Sequence, residues 1–217
     1  HEDYLRRVAE AVRHGVPVGL DAGGLQLVPA LLARAEGKPL PSTVVLTPHA
    51  AELTRLVRAL DPSQQLDPVA APVAAAAALH HRTGATVVLK GAVTVIHGPS
   101  RWAQGPSNSW LATAGSGDVL AGLLGGLLGT AQQRYQAGSQ QVARELAAPQ
   151  QTAPDPANPD PAVPEQAPPD PAALAAAAVY LHSAASQLAN PGGPVTASQV
   201  AAALPRVWAA TAQGATP

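Results

Sequence analysis

The stretch "TAGSGDVLAGLLGGLLG", residues Thr113–Gly129, decides the fold. A turn bracketed by Gly115 and Gly117 runs straight into an apolar helical pattern, and Asp118 sits at the join. Glycines let backbone N–H groups approach a ligand closely. Successive N–H groups at a helix N-terminus, helped by the helix dipole, favour anions and above all phosphate. A carboxylate beside bound phosphate repels it unless it has a task. In phosphoryl transfer that task is to accept the proton of the attacking hydroxyl. The plain alternative is a first-turn acid favoured by the dipole, worth about 0.3–1 kcal/mol.

Such a turn acts only if other elements deliver groups to the same edge. "VPVGLDAGG" (16–24) reads as a short buried strand ending at Asp21, "STVVLTPHA" (42–50) as a second and "ATVVLKG" (85–91) as a third. "VTVIHG" and "SRWAQG" read as a hairpin around Gly98, Pro99 and Ser100. Residues 3–14 carry Leu5, Val8, Ala9 and Val12 at helical spacing. "LQLVPALLARAEG" (25–37) resumes the helical pattern, with Pro29 as a kink or break. Thr47 suits an N-cap and Pro48 the first position of the next helix. The helix ending "LHHRTG" is closed by Gly84. A small-residue helix over 172–189 ends at Asn190, Pro191 and Gly192, and 196–210 makes a last short helix.

Strands alternating with helices, three of them continuous apolar runs, imply an α/β fold with a largely parallel sheet and helices on both faces. Residues 1–130 form the main part of this domain and 172–210 its C-terminal helices. Between them, 131–171 is an Ala, Gln and Pro insertion, whose first part, "QQRYQAGSQQVARELA", reads either as an extension of the preceding helix or as a frayed end. Nine of the 23 prolines fall between Pro149 and Pro171, a density that forbids helix or central strand, so disorder is expected there. Residues 211–217 read as a loose tail.

The 217 residues suit one domain with a sizeable core. A net charge of -1 gives no electrostatic footprint for nucleic acid or an anionic membrane. No apolar run in the sequence approaches the ~20 residues of a membrane span. The absence of cysteine excludes disulfides and thiolate metal sites, which fits a cytoplasmic protein. "HEDYLRRVAEAVRHG" is amphipathic and charged, unlike a signal peptide. The chain has no Met and starts at His1, so it is expected to be a piece of a longer protein that lacks the N-terminal portion of its domain.

Ligands of open α/β sheets bind outside the carboxyl ends of the strands. Asp21, then Thr47 and His49, then Lys90 end successive strands, and Asp118 follows Gly115, Ser116 and Gly117. Each has a bland reading alone: Asp21 as a helix cap, His49 as a solvated first-turn residue, Lys90 as a surface lysine. Together they suggest one cleft. His80 and His81 are adjacent, lack metal-ligand spacing and are expected to be exposed, and no metal ligands are expected elsewhere. His182, inside a helix among small residues, is expected to be a packing or hydrogen-bonding residue. Tyr180, Trp102 and Trp110 read as packing residues.

On these residues the chain resembles the ADP/ATP-dependent NAD(P)H-hydrate dehydratases of the ribokinase-like superfamily. "NSWLATAGSGDVLAGLLGGLL" is similar to the family signature, "TVVLTPHAAELTRL" to its T-P-H-x-x-E segment, and "TGATVVLKGAVTVIHGP" to its K-G-A strand and turn. "VPVGLDAGGLQLV" resembles its D-A-D-x-L-N stretch and "AAVYLHSAASQLA" its late helix. The resemblance implies repair of hydrated NADH and NADPH: a nucleotide, ADP or ATP with Mg²⁺, phosphorylates the ring hydroxyl, and phosphate then leaves. It implies that His49 and Asp118 bind the hydrated cofactor, with Asp118 the base. Lys90, Gly91, Ala92, Val93, Thr94 and Gly117 would line the nucleotide phosphates, and Gly115, Ser116 and Gly117 would form the anion hole. It also implies a homo-oligomer and, in many members, an epimerase domain fused ahead.

There are departures. Gly23 stands for the second acid of D-A-D and Gln26 for its Asn, Ala50 and Ala51 replace a Pro-Gly pair, and Val93 stands where a glycine is common. Val93 would be costly if that turn needs φ > 0. A vitamin-precursor kinase of the same superfamily and a non-catalytic nucleotide-binding remnant are the alternative functions.

Overall fold

The computed structural model describes residues 2–105, 108–147 and 167–214. Helix α1 (Glu2–Arg13) opens on Glu2 and Asp3 and closes on Arg13, the charge order its dipole favours. Then come β1 (Val18–Leu20), a 3₁₀ segment (Ala22–Leu27), α2 (Val28–Arg34), β2 (Val44–Leu46), α3 (Ala50–Leu60) and α4 (Pro72–Thr83). They are followed by β3 (Thr86–Leu89), β4 (Thr94–His97), β5 (Arg101–Gln104), a 3₁₀ turn (Ser109–Leu111), α5 (Ser116–Ala147), α6 (Pro171–Ala189) and α7 (Ala197–Ala212).

The strands form one sheet in the order β1-β2-β3-β4-β5. β1, β2 and β3 are parallel, with Leu20 opposite Leu46 and Leu46 opposite Val87. The expected hairpin adds β4 and β5 antiparallel at one edge, with Val88 opposite Ile96 and Ile96 opposite Trp102. Side chains alternate across a strand, and both faces are apolar. Val44, Leu46, Val87 and Leu89 pack with α1, α2, α3 and α4, whereas Val45, Val88 and Ile96 pack with Leu120, Leu124 and Leu128 of α5 and the alanine face of α6. Helices therefore cover both faces, as a parallel sheet requires. Leu181 and Ala185 carry α6 onward to Val200, Ala203 and Val207 of α7.

Several expectations need correction. The pattern over 25–37 is split: a 3₁₀ segment precedes α2, and Pro29 stands in the first turn of α2, where its missing N–H costs nothing. Thr47 is not the cap of α3. It is buried, and its N–H donates to Leu20 O over 3.0 Å, so it still belongs to the sheet. His49 is the cap, and Pro48 precedes the helix.

Of the two readings of the Gln/Ala-rich stretch after residue 130, the helical one holds, and α5 continues through it to Ala147. The proline-dense 148–166 lies outside the described residues, as does the tail 215–217; α7 itself runs two residues past 210, to Ala212. α6, at 19 residues, does have the length and hydropathy of a membrane span. Its positions Ala172, Ala175, Ala178 and Val179 are buried against the sheet and α5, which makes it a core helix here. Trp102, Trp110 and Tyr180 are largely exposed rather than packed, at 48%, 52% and 38%.

Candidate active site at the carboxyl edge of the sheet

Asp21 leaves β1 and caps the 3₁₀ segment, its Oδ1 accepting the Ala22 N–H over 2.9 Å. Ala22 is left-handed at φ 47°, a conformation costly for a residue with a Cβ. The tight turn holds the Asp21 carboxylate at the strand end. Lys90 leaves β3 two strands away. Its N–H donates to Pro48 O over 2.8 Å and it forms an isolated parallel bridge with His49, so the ends of β2 and β3 are tied together. The Lys90 Nζ reaches Asp21 Oδ1 at 2.7 Å, with the two side chains 23% and 16% exposed. Asp21 is thus both cap and ion-pair partner.

His49 and Glu52 close a capping box. His49 Nδ1 accepts the Glu52 N–H over 3.3 Å, and Glu52 Oε2 accepts the His49 N–H over 2.8 Å. Nδ1 is therefore unprotonated, and Nε2 lies 3.5 Å from Glu52 Oε1. This is the physical basis of the T-P-H-x-x-E spacing: Glu52 fixes the ring and leaves half of its surface open.

The glycine turn arrives from the other side. Gly115 is left-handed at φ +81°, which its missing Cβ permits. A Cβ placed on Gly117 would lie 3.5 Å from Asp21 Oδ2 and 3.6 Å from Lys90 Nζ, so the first turn of α5 abuts the ion pair. The Ser116 N–H is engaged by Thr113 O at 3.3 Å. The N–H groups of Gly117 and Asp118 have no protein acceptor among the described residues. Asp118 is exposed, and its carboxylate makes no hydrogen bond or ion pair with the described residues. The anion-binding capacity of the turn thus rests on Gly117 and Asp118 more than on Ser116.

Gly91, Ala92 and Val93 form the exposed bend between Lys90 and Thr94, the first residue of β4. Among the described residues, the non-glycine positions with positive φ are Ala22 and Glu36, so Val93 carries no left-handed strain. The substitution of the usual glycine is accommodated.

Two features escaped the sequence reading. One is the Asp21–Lys90 pair, which no local pattern signals. Another is Asn108, buried, whose amide donates to Gly193 O over 3.0 Å and whose Oδ1 accepts the Trp110 N–H over 3.1 Å, pinning the loop ahead of the glycine turn. His182 is the packing and hydrogen-bonding residue that the sequence leads one to expect, and its partner is the glycine turn. Its Nε2 lies 3.2 Å from Ser116 Oγ with both residues buried, and burial holds the imidazole below its usual pKa.

His80, His81 and His97 gather at the opposite edge of the sheet. The His97 ring centroid is 5.0 Å from that of His80 and 5.6 Å from that of His81. His80 is half-buried, contrary to expectation, with Nδ1 2.8 Å from Ala85 O, and His81 is exposed. Among the described residues no three His, Asp or Glu are arranged to hold a metal ion. Two open apolar hollows, of about 380 and 260 Å³, lie along α6 between Trp102, Tyr180 and Trp208, away from the polar edge. Neither hollow is lined by Asp21, His49, Lys90, Gly117 or Asp118.

The family model for NAD(P)H-hydrate dehydratase matches residues 2–159. The chain belongs to the NAD(P)H-hydrate dehydratase family. It is 43% identical over 118 residues to the bifunctional NAD(P)H-hydrate repair enzyme Nnr of Mycobacterium tuberculosis, covering 52% of this chain and 22% of that one. It is 41% identical over 117 residues to the ADP-dependent (S)-NAD(P)H-hydrate dehydratase of Neisseria meningitidis, covering 52% and 37%. The chain thus spans well under half the length of either relative. An ADP/ATP-dependent NAD(P)H-hydrate dehydratase from Bacillus subtilis, crystallised with ATP/Mg²⁺, superposes with a TM-score of 0.63 at 24% identity, covering 96% of this chain and 60% of that one. A ribokinase-like superfamily protein from Enterococcus faecalis superposes with a TM-score of 0.60 at 23% identity, covering 99% and 59%. The dehydratase fold is ribokinase-like.

Proposed function

We propose that this chain forms part of an enzyme that dehydrates hydrated NADH and NADPH at the expense of ADP or ATP. The observation that carries the reading is the position of Asp118. A bare carboxylate follows Gly117, whose α-carbon faces the Asp21–Lys90 pair, beside two N–H groups without protein acceptors. That arrangement suits a proton acceptor next to a phosphoryl group.

In this reading His49 and Asp118 bind the hydrated nicotinamide. Lys90, Gly91, Ala92, Val93, Thr94 and Gly117 line the nucleotide phosphates, and the turn Gly115–Gly117 forms the anion hole. Asp118 takes the proton of the ring hydroxyl as its oxygen bonds to the terminal phosphorus and the bond from phosphorus to the nucleotide oxygen breaks. The ring C–O bond then breaks with phosphate as leaving group, pushed by the ring nitrogen. The adjacent carbon loses a proton, and the dihydropyridine double bond is restored. Hydroxide would leave poorly; phosphate leaves well.

Mg²⁺ bound to nucleotide phosphates neutralises their charge and keeps several waters, so it needs few protein ligands. The exposed Asp118 and the partly exposed Asp21 fit that modest demand, and the described residues build no larger cage. We further infer one domain made of 1–130 and 172–210, interrupted by the low-complexity stretch 131–171 whose first part α5 carries, with 211–217 as a tail. A cytoplasmic homo-oligomer with an epimerase domain ahead of this one, as the bifunctional relatives suggest, belongs to the same reading.

The test is absorbance at 340 nm from hydrated NADPH with Mg²⁺ and ADP or ATP, using the full-length parent protein beside Asp118→Asn. A nucleotide-dependent rise that is lost in the variant supports the reading. No rise from folded protein overturns it, and a stable phosphoester product would point to a kinase instead.

A further inference from the structure

The late motif "YLHSAASQLA" takes no part in the chemistry described so far, yet it places His182 against the glycine turn. We propose that His182 is a positioning residue for the anion hole, acting through Ser116. The inference rests on the reading of that turn given above.

Ser116 is the first residue of α5, and its backbone lies between Gly115 and Gly117. Its side chain points away from the site. The residue is 4% exposed, His182 is 7% exposed, and Ser116 Oγ lies 3.2 Å from His182 Nε2. A buried hydroxyl without a partner is costly, so this bond selects one orientation of the Ser116 side chain. Gly115 and Gly117 have no side chains with which to anchor themselves. Ser116 is thus the one side-chain anchor within the Gly115–Gly117 turn, and His182 holds it.

His182 is itself well placed for this. It projects from α6, between buried Leu181 and the buried Ala185–Ser186 pair, in a helix that packs on both α5 and α7. The bond therefore ties the turn to the rigid core and not to a loop. It also keeps the Ser116 hydroxyl out of the anion hole, which leaves the N–H groups of Gly117 and Asp118 as the donors. Their direction, and with it the oxyanion geometry, depends on how the Ser116 backbone is set.

The experiment uses the full-length protein and four variants: Ser116→Ala, His182→Ala, His182→Gln and the double alanine. Dehydration of hydrated NADPH gives kcat and the nucleotide KM. In parallel, the amide signals of Gly117 and Asp118 are followed by NMR during titration with inorganic phosphate. The expected result is a kcat about tenfold lower in each alanine variant, the order of one neutral hydrogen bond, with KM changed less than about twofold. The double variant falls no further than the singles, and His182→Gln, which can still bond the hydroxyl, recovers part of the rate. The phosphate-induced shifts at Gly117 and Asp118 shrink in both alanine variants.

Wild-type kcat and wild-type phosphate shifts in His182→Ala would overturn the proposal, as would additive losses in the double variant. If the parent protein shows no dehydration but phosphate still shifts the two amides in a His182-dependent way, the proposed reaction fails and the positioning role stands. If phosphate shifts neither amide in the parent, there is no anion hole to position and the proposal falls.

Discussion

Lys90 Nζ lies 2.7 Å from Asp21 Oδ1, joining the carboxyl ends of two strands that are not neighbours in the sheet. The pair spans the end of β2 and forms a charged floor against which Gly117 packs. Both side chains keep some solvent contact, so the pair contributes at most about 1 kcal/mol to stability. Its value lies in orientation. A lysine left to itself samples many rotamers, whereas this one is held where phosphate oxygens are proposed to sit. Replacing Lys90 by Met leaves a carboxylate there without its counter-ion and turns the local field against anions. Lys90→Met is therefore expected to raise the nucleotide KM by at least about tenfold while shifting the melting temperature only slightly. Steady-state kinetics beside a thermal scan checks this, and an unchanged KM would remove Lys90 from the phosphate site.

Gly117→Ala separates the site from the fold. The added methyl would meet Asp21 Oδ2 at 3.5 Å and Lys90 Nζ at 3.6 Å, which is ordinary van der Waals contact. The backbone there is not left-handed, so folding should be nearly unaffected. The methyl would nevertheless occupy the surface that a phosphate must approach. We expect a melting temperature within about 2 °C of the parent and a loss of nucleotide binding of at least about tenfold. Calorimetric titration with ADP and ATP decides it; parental affinity would mean that the phosphates lie elsewhere.

These two variants also show what was legible in the sequence. The run of apolar strands ending in Asp21, His49 and Lys90 marked one edge of a sheet, because parallel strands buried on both faces are apolar throughout and their polar residues stand out at the ends. The helix closed by Gly84 and the hairpin were legible for the same local reasons. The Lys90–Asp21 and His182–Ser116 contacts were not, since they depend on which strands and helices become neighbours. The cap of α3 was misread because Thr47 has good capping chemistry but is still held in the sheet by Leu20 O, which leaves His49 as the first residue free to cap. Val93 was suspected of strain on the strength of a missing glycine, yet its turn stays out of the left-handed region.

Stability should fall below about pH 6.5, and the cause is legible in the histidines. His97 is held below its ordinary value of 6.5, first by burial and then by the charges of His80, Arg101 and His81. His182 is lowered by burial, partly opposed by a hydrogen bond to the Ser116 backbone. Both are favoured as neutral rings in the folded chain. Their contribution is complete above the unfolded value and is lost as pH falls through the lower folded values, because the unfolded chain binds protons there that the folded chain does not. Each such proton makes stability fall by at most about 1.4 kcal/mol per pH unit. Urea unfolding at pH 7.5 and pH 5.0 should show a clear loss at the lower pH, and His97→Gln should reduce the difference. An equal loss in that variant would place the acid sensitivity outside the histidine cluster.

Gly84→Ala tests the packing behind β3. Gly84 ends α4 at φ +80°, donating its N–H to His80 O over 2.7 Å. An added Cβ would lie 2.4 Å from Leu40 O and 2.6 Å from Pro39 Cβ. Neither neighbour is the end of a flexible side chain. Leu40 is buried, and its own N–H donates to Thr83 O over 2.7 Å, so the two segments cannot part without losing that bond. The left-handed conformation alone costs an alanine about 1–2 kcal/mol, and the backbone clash adds to it. With about 2–4 °C lost per kcal/mol in a domain of this size, the melting temperature is expected to drop by about 5–10 °C. The nucleotide KM of the protein that remains folded should not move, because Gly84 lies at the amino end of β3, far from Lys90 along the strand. A thermal scan showing parental stability would mean that the α4–β3 connection yields more readily than its hydrogen bonds imply.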